Sequence, residues 1–172
     1  VEIDGTQSSV KVETVTGDVR LRGGSGDIEL SSVQGGVDVV GANGRLKLSS
    51  INQGVAMSRV SGQAEVETVN GDILIDEGNL ELNGYEVMCA GDVTIMDGGK
   101  ISVDENAVLR VGQNHVLSVN NGGILKVLGE PGDRSKISVM PEGTGYYSLD
   151  INGGGTIGAR RAIFERMDAN GV

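Results

Sequence analysis

The sequence predicts an all-β protein, a single-stranded parallel β-solenoid (β-helix), and three observations support this prediction. A unit of nine and later eight residues repeats along most of the chain, and two apolar residues recur at fixed places in each unit. The chain also contains 29 glycines but only three tyrosines, one phenylalanine and no tryptophan. Frequent glycine and small aliphatic side chains suit tight, repeated turns around a thin core.

The first part of the solenoid, residues 7–78, is built from nine-residue units without insertion or deletion. The fourth and sixth residues of each unit are apolar, from Val10 and Val12 in the first unit to Ile73 and Ile75 in the last. The residue between them is usually polar or charged. This alternation is typical of a short strand with one buried face. Each unit therefore predicts one strand, and the Ser-Gly, Asn-Gly and similar pairs that open most units predict turns.

The second part, residues 79–131, has eight-residue units, and the third part, residues 132–172, has irregular rungs with inserted loops. Inward pairs recur every eight residues from Val93 and Ile95 onward. The interval then lengthens by four residues before Ile137 and again by four before Leu149, which predicts two insertions. The return to eight at Ile157 predicts one continuous solenoid over residues 1–172.

The number of strands in one coil is less directly encoded. The recurrence of LSSV at Leu30 as LSSI at Leu48 favours a two-sided coil of two units, whereas MDGG at Met96 and NNGG at Asn120 favour a three-sided coil of three units. A three-sided coil could continue unbroken through both parts, so we favour three sides over two. A meander of hairpins is the structural rival, because Asn-Gly, a strong hairpin signal, occurs six times, including at Asn83 and Asn170.

The charge of the chain argues against a nucleic-acid partner, and its hydropathy argues against a membrane-spanning segment. The net charge is −10 and the isoelectric point is near 4.5, which opposes binding to the phosphates of nucleic acids. No apolar run approaches the roughly 20 residues of a membrane-spanning helix, so no membrane span is expected in this segment. The chain begins with Val1 and ends in a turn signal at Gly171, from which we expect it to be a piece of a larger protein.

Two inserted loops, GEPGDRS at 129–135 and MPEGTGYY at 140–147, are the best candidates for a ligand-binding site. Loops that leave a regular scaffold often carry recognition. Within them we single out Asp133, Arg134, Tyr146 and Tyr147 as candidate ligand-binding residues. The two tyrosine rings could stack on a sugar, and an equally good interpretation is that one or both cover the core.

No catalytic residue, cofactor site or metal site is predicted. His115 is the only histidine and is expected in a surface turn without a zinc or nucleophile partner. Cys89 is the only cysteine and is expected to be a small buried thiol. The glycines at 153–158 fit a dinucleotide spacing but lack a surrounding βαβ unit. GGSGD at 23–27 lacks the aspartate that a calcium-binding nonapeptide repeat requires.

The repeats themselves resemble known families. VETVTGDV, SGDIEL and VETVNGDI, within about residues 7–78, resemble bacterial adhesin β-solenoid repeats. GGILKVLGEPGDRSKISV and GGTIGARRAIFERMDANGV, within about residues 92–172, are similar to the right-handed parallel β-helix repeats of secreted bacterial surface proteins. The resemblance supplies no catalytic residues, and the clustered aspartates and basic residues of β-helix pectate lyases and polygalacturonases have no match here.

The resemblance implies a non-enzymatic structural or adhesive segment of an extracellular bacterial protein at the cell surface. Its expected partners are cell-surface or matrix components, including polysaccharide. A stiff rod of this kind could also form a homo-polymer by end-to-end strand stacking. The alternative is a carbohydrate-binding or carbohydrate-cleaving β-helix.

Overall fold

The structure is a computed structural model that describes residues 1–82, 84–141 and 144–168. The turn signals at Asn83 and Asn170, and part of the second inserted loop, lie outside the described residues. Within them every regular element is a strand. The strands are β1 Glu2–Asp4, β2 Val10–Thr14, β3 Val19–Arg22, β4 Ser25–Ser32, β5 Val37–Val40, β6 Asn43–Ser50, β7 Val55–Thr68, β8 Ile73–Glu81, β9 Glu86–Cys89, β10 Val93–Ile95, β11 Gly99–Asp104, β12 Val108–Val111, β13 Val116–Val119, β14 Ile124–Leu128, β15 Lys136–Val139, β16 Ser148–Ile151, β17 Thr156–Arg160 and β18 Ile163–Phe164.

All the strands pair in parallel, as a β-solenoid requires. Consecutive strands are not partners in antiparallel hairpins. The one antiparallel bridge among the described residues joins Glu130 to Asp133 inside a loop. The hairpin meander is therefore excluded for the described part of the chain, and the structure is all-β with a parallel sheet that curls around one core.

In the first part each strand pairs with the strand two nine-residue units later. Val10 lies beside Ile28, Ile28 beside Leu46, and Leu46 beside Ala64. On the other side Val19 pairs with Val37, and Val37 with Val55. The pairing offset of two units departs from the three-unit coil that the sequence favoured for this part.

The reason for the shorter coil lies in the long strands β4 and β6, which have eight residues each. The pairs Ser25-Gly26 and Asn43-Gly44 were expected to turn the chain. Instead, they pair with each other in register as part of these strands. Glycine allows the extended chain to pass with φ of 111° at Gly26 and 141° at Gly44. Every second predicted turn is thus absorbed into a strand.

The coil lengthens after β7. Ile73 pairs with Val93, which lies two residues further along the chain than an offset of two nine-residue units would place the partner. Val93 in turn pairs with Leu117, at an offset of three eight-residue units. The long side of the coil is the one formed by β4, β6 and residues 61–68 of β7. It divides at this point, because Gln63 of β7 pairs with Glu81 of β8 while Glu67 of β7 pairs with Met88 of β9. From here each strand pairs with the third strand after it, as β10 does with β13.

The two inserted loops lengthen the last coils without breaking the pairing. The loop between β14 and β15 adds four residues to the three eight-residue units that would otherwise separate Val108 from its partner Lys136. The loop between β15 and β16 adds four more, and both insertions lie between Val116 and its partner Ser148. The column of strands therefore continues to β16, β17 and β18.

The core is a single column of aliphatic side chains. The inward pairs from Val19 and Leu21 to Ile137 and Val139 are buried. Val10 and Val12 are partly buried in the first complete coil. Ile157, which continues the predicted inward spacing, is 37% exposed and Ile151 is 38% exposed, since no described strand stacks beyond β16 and β17.

Candidate functional site

The predicted loop residues Asp133 and Arg134 lie in a tight, exposed turn. Glu130 and Asp133 exchange two backbone hydrogen bonds, with N···O distances of 2.8 and 3.1 Å. The buried hydroxyl of Ser135 donates to the carbonyl of Leu128 at 3.0 Å and anchors the end of the loop. The structure thus holds Asp133 and Arg134 on the surface at the corner between β14 and β15.

The predicted tyrosine pair is divided between solvent and core. Tyr146 is 57% exposed, and its carbonyl accepts a hydrogen bond from the backbone N–H of Asn114 at 2.7 Å. Tyr147 is fully buried and belongs to the hydrophobic core. Among the described residues its hydroxyl has no hydrogen-bond partner, and burial raises its pKa. Tyr147 covers the core, and only Tyr146 can reach a ligand from solution.

The structure does not bring the predicted site residues together. The loop with Asp133 and Arg134 precedes β15, whereas the loop with Tyr146 follows it. The two loops therefore leave different corners of the coil, separated by the strand between them. Sequence reasoning placed the loops in neighbouring stretches of the chain but could not show that a whole side of the solenoid divides them.

The buried position of Cys89 is explained by a column of small polar side chains at one corner of the coil. Ser32, Ser50 and Thr68 are buried there in successive coils, and their hydroxyls bond to backbone groups of the adjoining turns. Cys89 pairs with Thr68 and is fully buried in the next coil. Its thiol reaches the carbonyls of Gly71 and Asp92 at 3.5 and 3.4 Å, and burial raises its pKa to about 11. The thiol replaces a structural hydroxyl in this column.

His115 lies in the turn between β12 and β13 and does have a carboxylate partner. Its Nδ1 is 2.9 Å from Oδ1 of Asp92, which also accepts a hydrogen bond from the backbone N–H of Val116. The Asp92 carboxylate thus links the turns of successive coils. Among the described residues, no group of three or more His, Cys, Asp or Glu side chains is placed to hold a metal ion.

A groove on the long side of the first part is a surface feature that sequence reasoning missed. Its volume is about 420 Å³, and the exposed Tyr85 borders it. We call this surface the charged face, and define it by four rows of two outward residues, one row for each coil: Ser9 and Lys11, Asp27 and Glu29, Arg45 and Lys47, and Gln63 and Glu65.

Ion pairs join successive rows of the charged face. The Arg45 guanidinium donates two hydrogen bonds to Asp27, at 2.9 and 3.1 Å. The Lys11 ammonium lies 3.2 Å from Glu29, and the Lys47 ammonium lies 3.6 Å from Glu65. These charges sit one above another only because the coil contains two nine-residue units. The signal was present in the sequence, but the coil length was needed to see it.

A smaller groove of about 290 Å³ lies on the opposite, shorter side. Asp18, Arg20 and Asp38 border it, and the Arg20 guanidinium is 3.6 Å from Asp18 and 3.9 Å from Asp38. In the next two coils Gly36 and Gly54 occupy the position that Asp18 holds in the first. This side presents fewer charges than the charged face.

Comparison with protein-family models, with curated proteins and with solved structures finds no match for this chain. In the described part of the chain no helix is long and apolar enough to cross a membrane. The architecture of a β-solenoid is thus established by the strand pairing of the chain itself.

Proposed function

We propose that this chain is a non-enzymatic structural or adhesive segment of an extracellular bacterial surface protein, in which the solenoid acts as a stiff spacer. The observation that carries the proposal is the unbroken column of parallel strands β1, β3, β5, β7, β8, β10, β13 and β16. Seven spacings of about 4.8 Å give this column a length of roughly 34 Å. A column of backbone hydrogen bonds around a solid core resists bending.

The cross-section follows from the pairing offsets. We propose two sides for the coils before β8 and three sides for the coils after it, with the resemblance to bacterial adhesin and β-helix repeats applying to the two parts in turn. The surface of the rod supports a spacer role, because its outward residues are mostly polar and joined by ion pairs between coils. Such pairs individually contribute little to stability, but they hold opposite charges in register.

The spacer role can be tested by lengthening the rod. Insertion of a second copy of residues 37–54 adds one coil, so we expect the long axis to grow by about 4.8 Å with no change in cross-section. Small-angle X-ray scattering measures both dimensions. A change in cross-section, or loss of the β-sheet circular dichroism signal, would overturn the proposal that coils are interchangeable spacers.

The location can be tested on the producing cells. Antibodies raised against this chain should label intact cells as strongly as permeabilised ones if the segment is displayed at the surface. Labelling that requires permeabilisation would contradict an extracellular location.

End-to-end assembly is a second form of the same proposal. A head-to-tail contact would set three strands, β16, β17 and β18, against the two strands β1 and β2 of the next copy. The exposed Ile151 and Ile157 would gain cover in such a contact. Light scattering should then show mass that grows continuously with concentration, whereas a mass that never exceeds a small closed species would exclude filaments.

The alternative proposal, carbohydrate binding, is supported by the exposed ring of Tyr146. Tyr147 is unable to contribute a stacking surface because it is buried. Binding of acidic and neutral polysaccharides should be lost on Tyr146→Ala and retained on Tyr85→Ala if the site is the second loop. If the unmodified chain binds none of these polysaccharides, this alternative is excluded.

A further inference from the structure

The charges of the charged face follow a symmetric order along the solenoid, and the ion pairs within the chain do not require this order. Its rows carry charges of +1, −2, +2 and −1 in order along the solenoid, from Lys11, the pair Asp27 and Glu29, the pair Arg45 and Lys47, and Glu65. Reversal of the order of the rows changes every positive row into a negative one. A surface with this property is complementary to an inverted copy of itself.

We propose that the charged face binds the charged face of a second copy of this chain, about a two-fold axis that lies along the strand direction between the second and third rows. This operation reverses the order of the rows and keeps the position of each residue along its strand. Asp27 then faces Arg45 of the other copy, Glu29 faces Lys47, and Lys11 faces Glu65. Each of these contacts occurs twice, as in any isologous interface.

Charge excludes the other simple arrangement. A two-fold axis along the solenoid would set each row against itself, so that Asp27 and Glu29 would meet the same two carboxylates of the other copy. The favoured arrangement also sets Glu13 against Glu67 at the edge of the face. Glu13 is already paired with the Lys11 ammonium at 3.0 Å, which reduces that repulsion.

The charged face is also where two acidic molecules can approach each other. The chain has a net charge of −10, but the eight residues of the face sum to zero. Its charged side chains remain between 41% and 68% exposed, so their intramolecular partners leave them room for a second contact. Two of the surplus negative charges, Glu13 and Glu67, lie beside the face on the same strands, and the rest lie on other surfaces.

The position of the charged face at one end of the solenoid lets two inverted copies overlap along it. The axis reverses one copy relative to the other, so the coils after β8 of each copy extend beyond the first coil of its partner and do not meet. Four rows about 4.8 Å apart, each about eight residues long, give a contact of roughly 500 Å² for each copy, at the lower end of specific interfaces. The dimer is therefore expected to be weak and to dissociate in salt.

A charge exchange between two copies tests the proposal. Asp27→Arg places two arginines opposite each other in both halves of the dimer, and Arg45→Asp places two aspartates there. Each variant alone should associate at least about tenfold more weakly than the unmodified chain. An equimolar mixture should recover a dimer, because the two substituted side chains face each other with opposite charges in one half, and the unmodified Arg45 and Asp27 face each other in the other half.

Analytical ultracentrifugation at low ionic strength measures these species, with a limit at twice 17.8 kDa for a closed dimer. The double variant Asp27→Arg with Arg45→Asp keeps the intramolecular pair and should dimerise by itself, which makes the test independent of the folding of the single variants. Asp38→Arg, on the opposite side, is the matched control and should leave association unchanged. A monomeric unmodified chain at about 1 mM in low salt, or a mixture that stays monomeric, would overturn the proposal. Neither result bears on the location or spacer role of the chain.

Discussion

Thr68 and Cys89 occupy the same corner of successive coils, and both side chains reach the carbonyl oxygen of Gly71. The Thr68 hydroxyl donates at 2.8 Å and the longer Cys89 thiol lies at 3.5 Å. A corner that holds hydroxyls in three coils therefore accepts a thiol in the next. Cys89 is better understood as part of a structural column than as a reactive group.

Burial should keep the Cys89 thiol unreactive in the folded protein. Its pKa is raised from 9.0 to about 11 by desolvation, so the thiolate that reacts with alkylating reagents is scarce at pH 8. We expect iodoacetamide to label Cys89 only after unfolding. Rapid labelling of the folded protein would contradict the buried position.

The same shift makes stability depend on alkaline pH. A group whose pKa is higher in the folded state contributes stability below its unfolded pKa of about 9, and this contribution is lost as the pH rises through about 11. For a shift of this size the loss is about 2 to 3 kcal/mol of unfolding free energy. Urea denaturation between pH 8 and 11 measures it, and Cys89→Ser, which lacks the thiol, should lose less over that range.

Glycine substitutions should separate close packing from backbone conformation. Gly71 does not have a positive φ, and a Cβ atom there would overlap the carbonyl oxygen of Gln53 in the adjacent coil, so Gly71→Ala should lower the unfolding free energy by about 3 kcal/mol. A Cβ atom at Gly41 makes only an ordinary contact at 3.9 Å, and its φ of 71° is what opposes alanine, so Gly41→Ala should cost about 1 kcal/mol. Equal losses in urea denaturation would show that contact between coils is not the deciding factor.

Arg59 occupies a corner position where glycine is the better residue. Gly23 and Gly41 precede it in that column with φ of 69° and 71°, and Arg59 has φ of 52°. Because a side chain disfavours this conformation, Arg59→Gly should be more stable than Arg59→Ala by about 1 kcal/mol. Comparison with alanine removes the effect of the lost guanidinium. Thermal denaturation of both variants measures this difference in stability. An alanine variant as stable as the glycine variant would argue against backbone strain at this corner.

The hydroxyl of Tyr147 should be dispensable. It is buried without a hydrogen-bond partner among the described residues, and such a group costs free energy on folding. Tyr147→Phe keeps the ring in the core and should raise the unfolding free energy by about 1 kcal/mol. Tyr146→Phe is the control and should change little, because its ring is largely exposed. A destabilised Tyr147→Phe would indicate that the hydroxyl has a partner after all.

The period and the inward pairs were readable in the sequence, and the burial of Val19, Val37 and Ile73 confirms them. This succeeded because a strand with one buried face leaves a local pattern. The number of strands in a coil was not readable, since Asn43-Gly44 looks like a turn but lies in a long strand. That choice depends on pairing with Gly26 and Gly62, one full coil away on either side.

The candidate site was harder to predict than the fold. Tyr146 and Tyr147 differ by one position in the chain, yet one is exposed and the other is buried, as successive residues of an extended chain must be. Local pattern could not decide which of the two points inward. The charged face could not be predicted for another reason. Asp27 and Arg45 lie one coil apart, so they can be recognised as neighbours only when the coil length is known.

The division of the long side at β8 and β9 has a consequence for how such a chain can change. Because the hydrogen-bonded columns pass through the transition, the number of strands between paired partners increases while the pairing itself continues. Duplications of two nine-residue units before this point and of three eight-residue units after it would each preserve register. One molecule can thus be extended by two different modules, each confined to its own end.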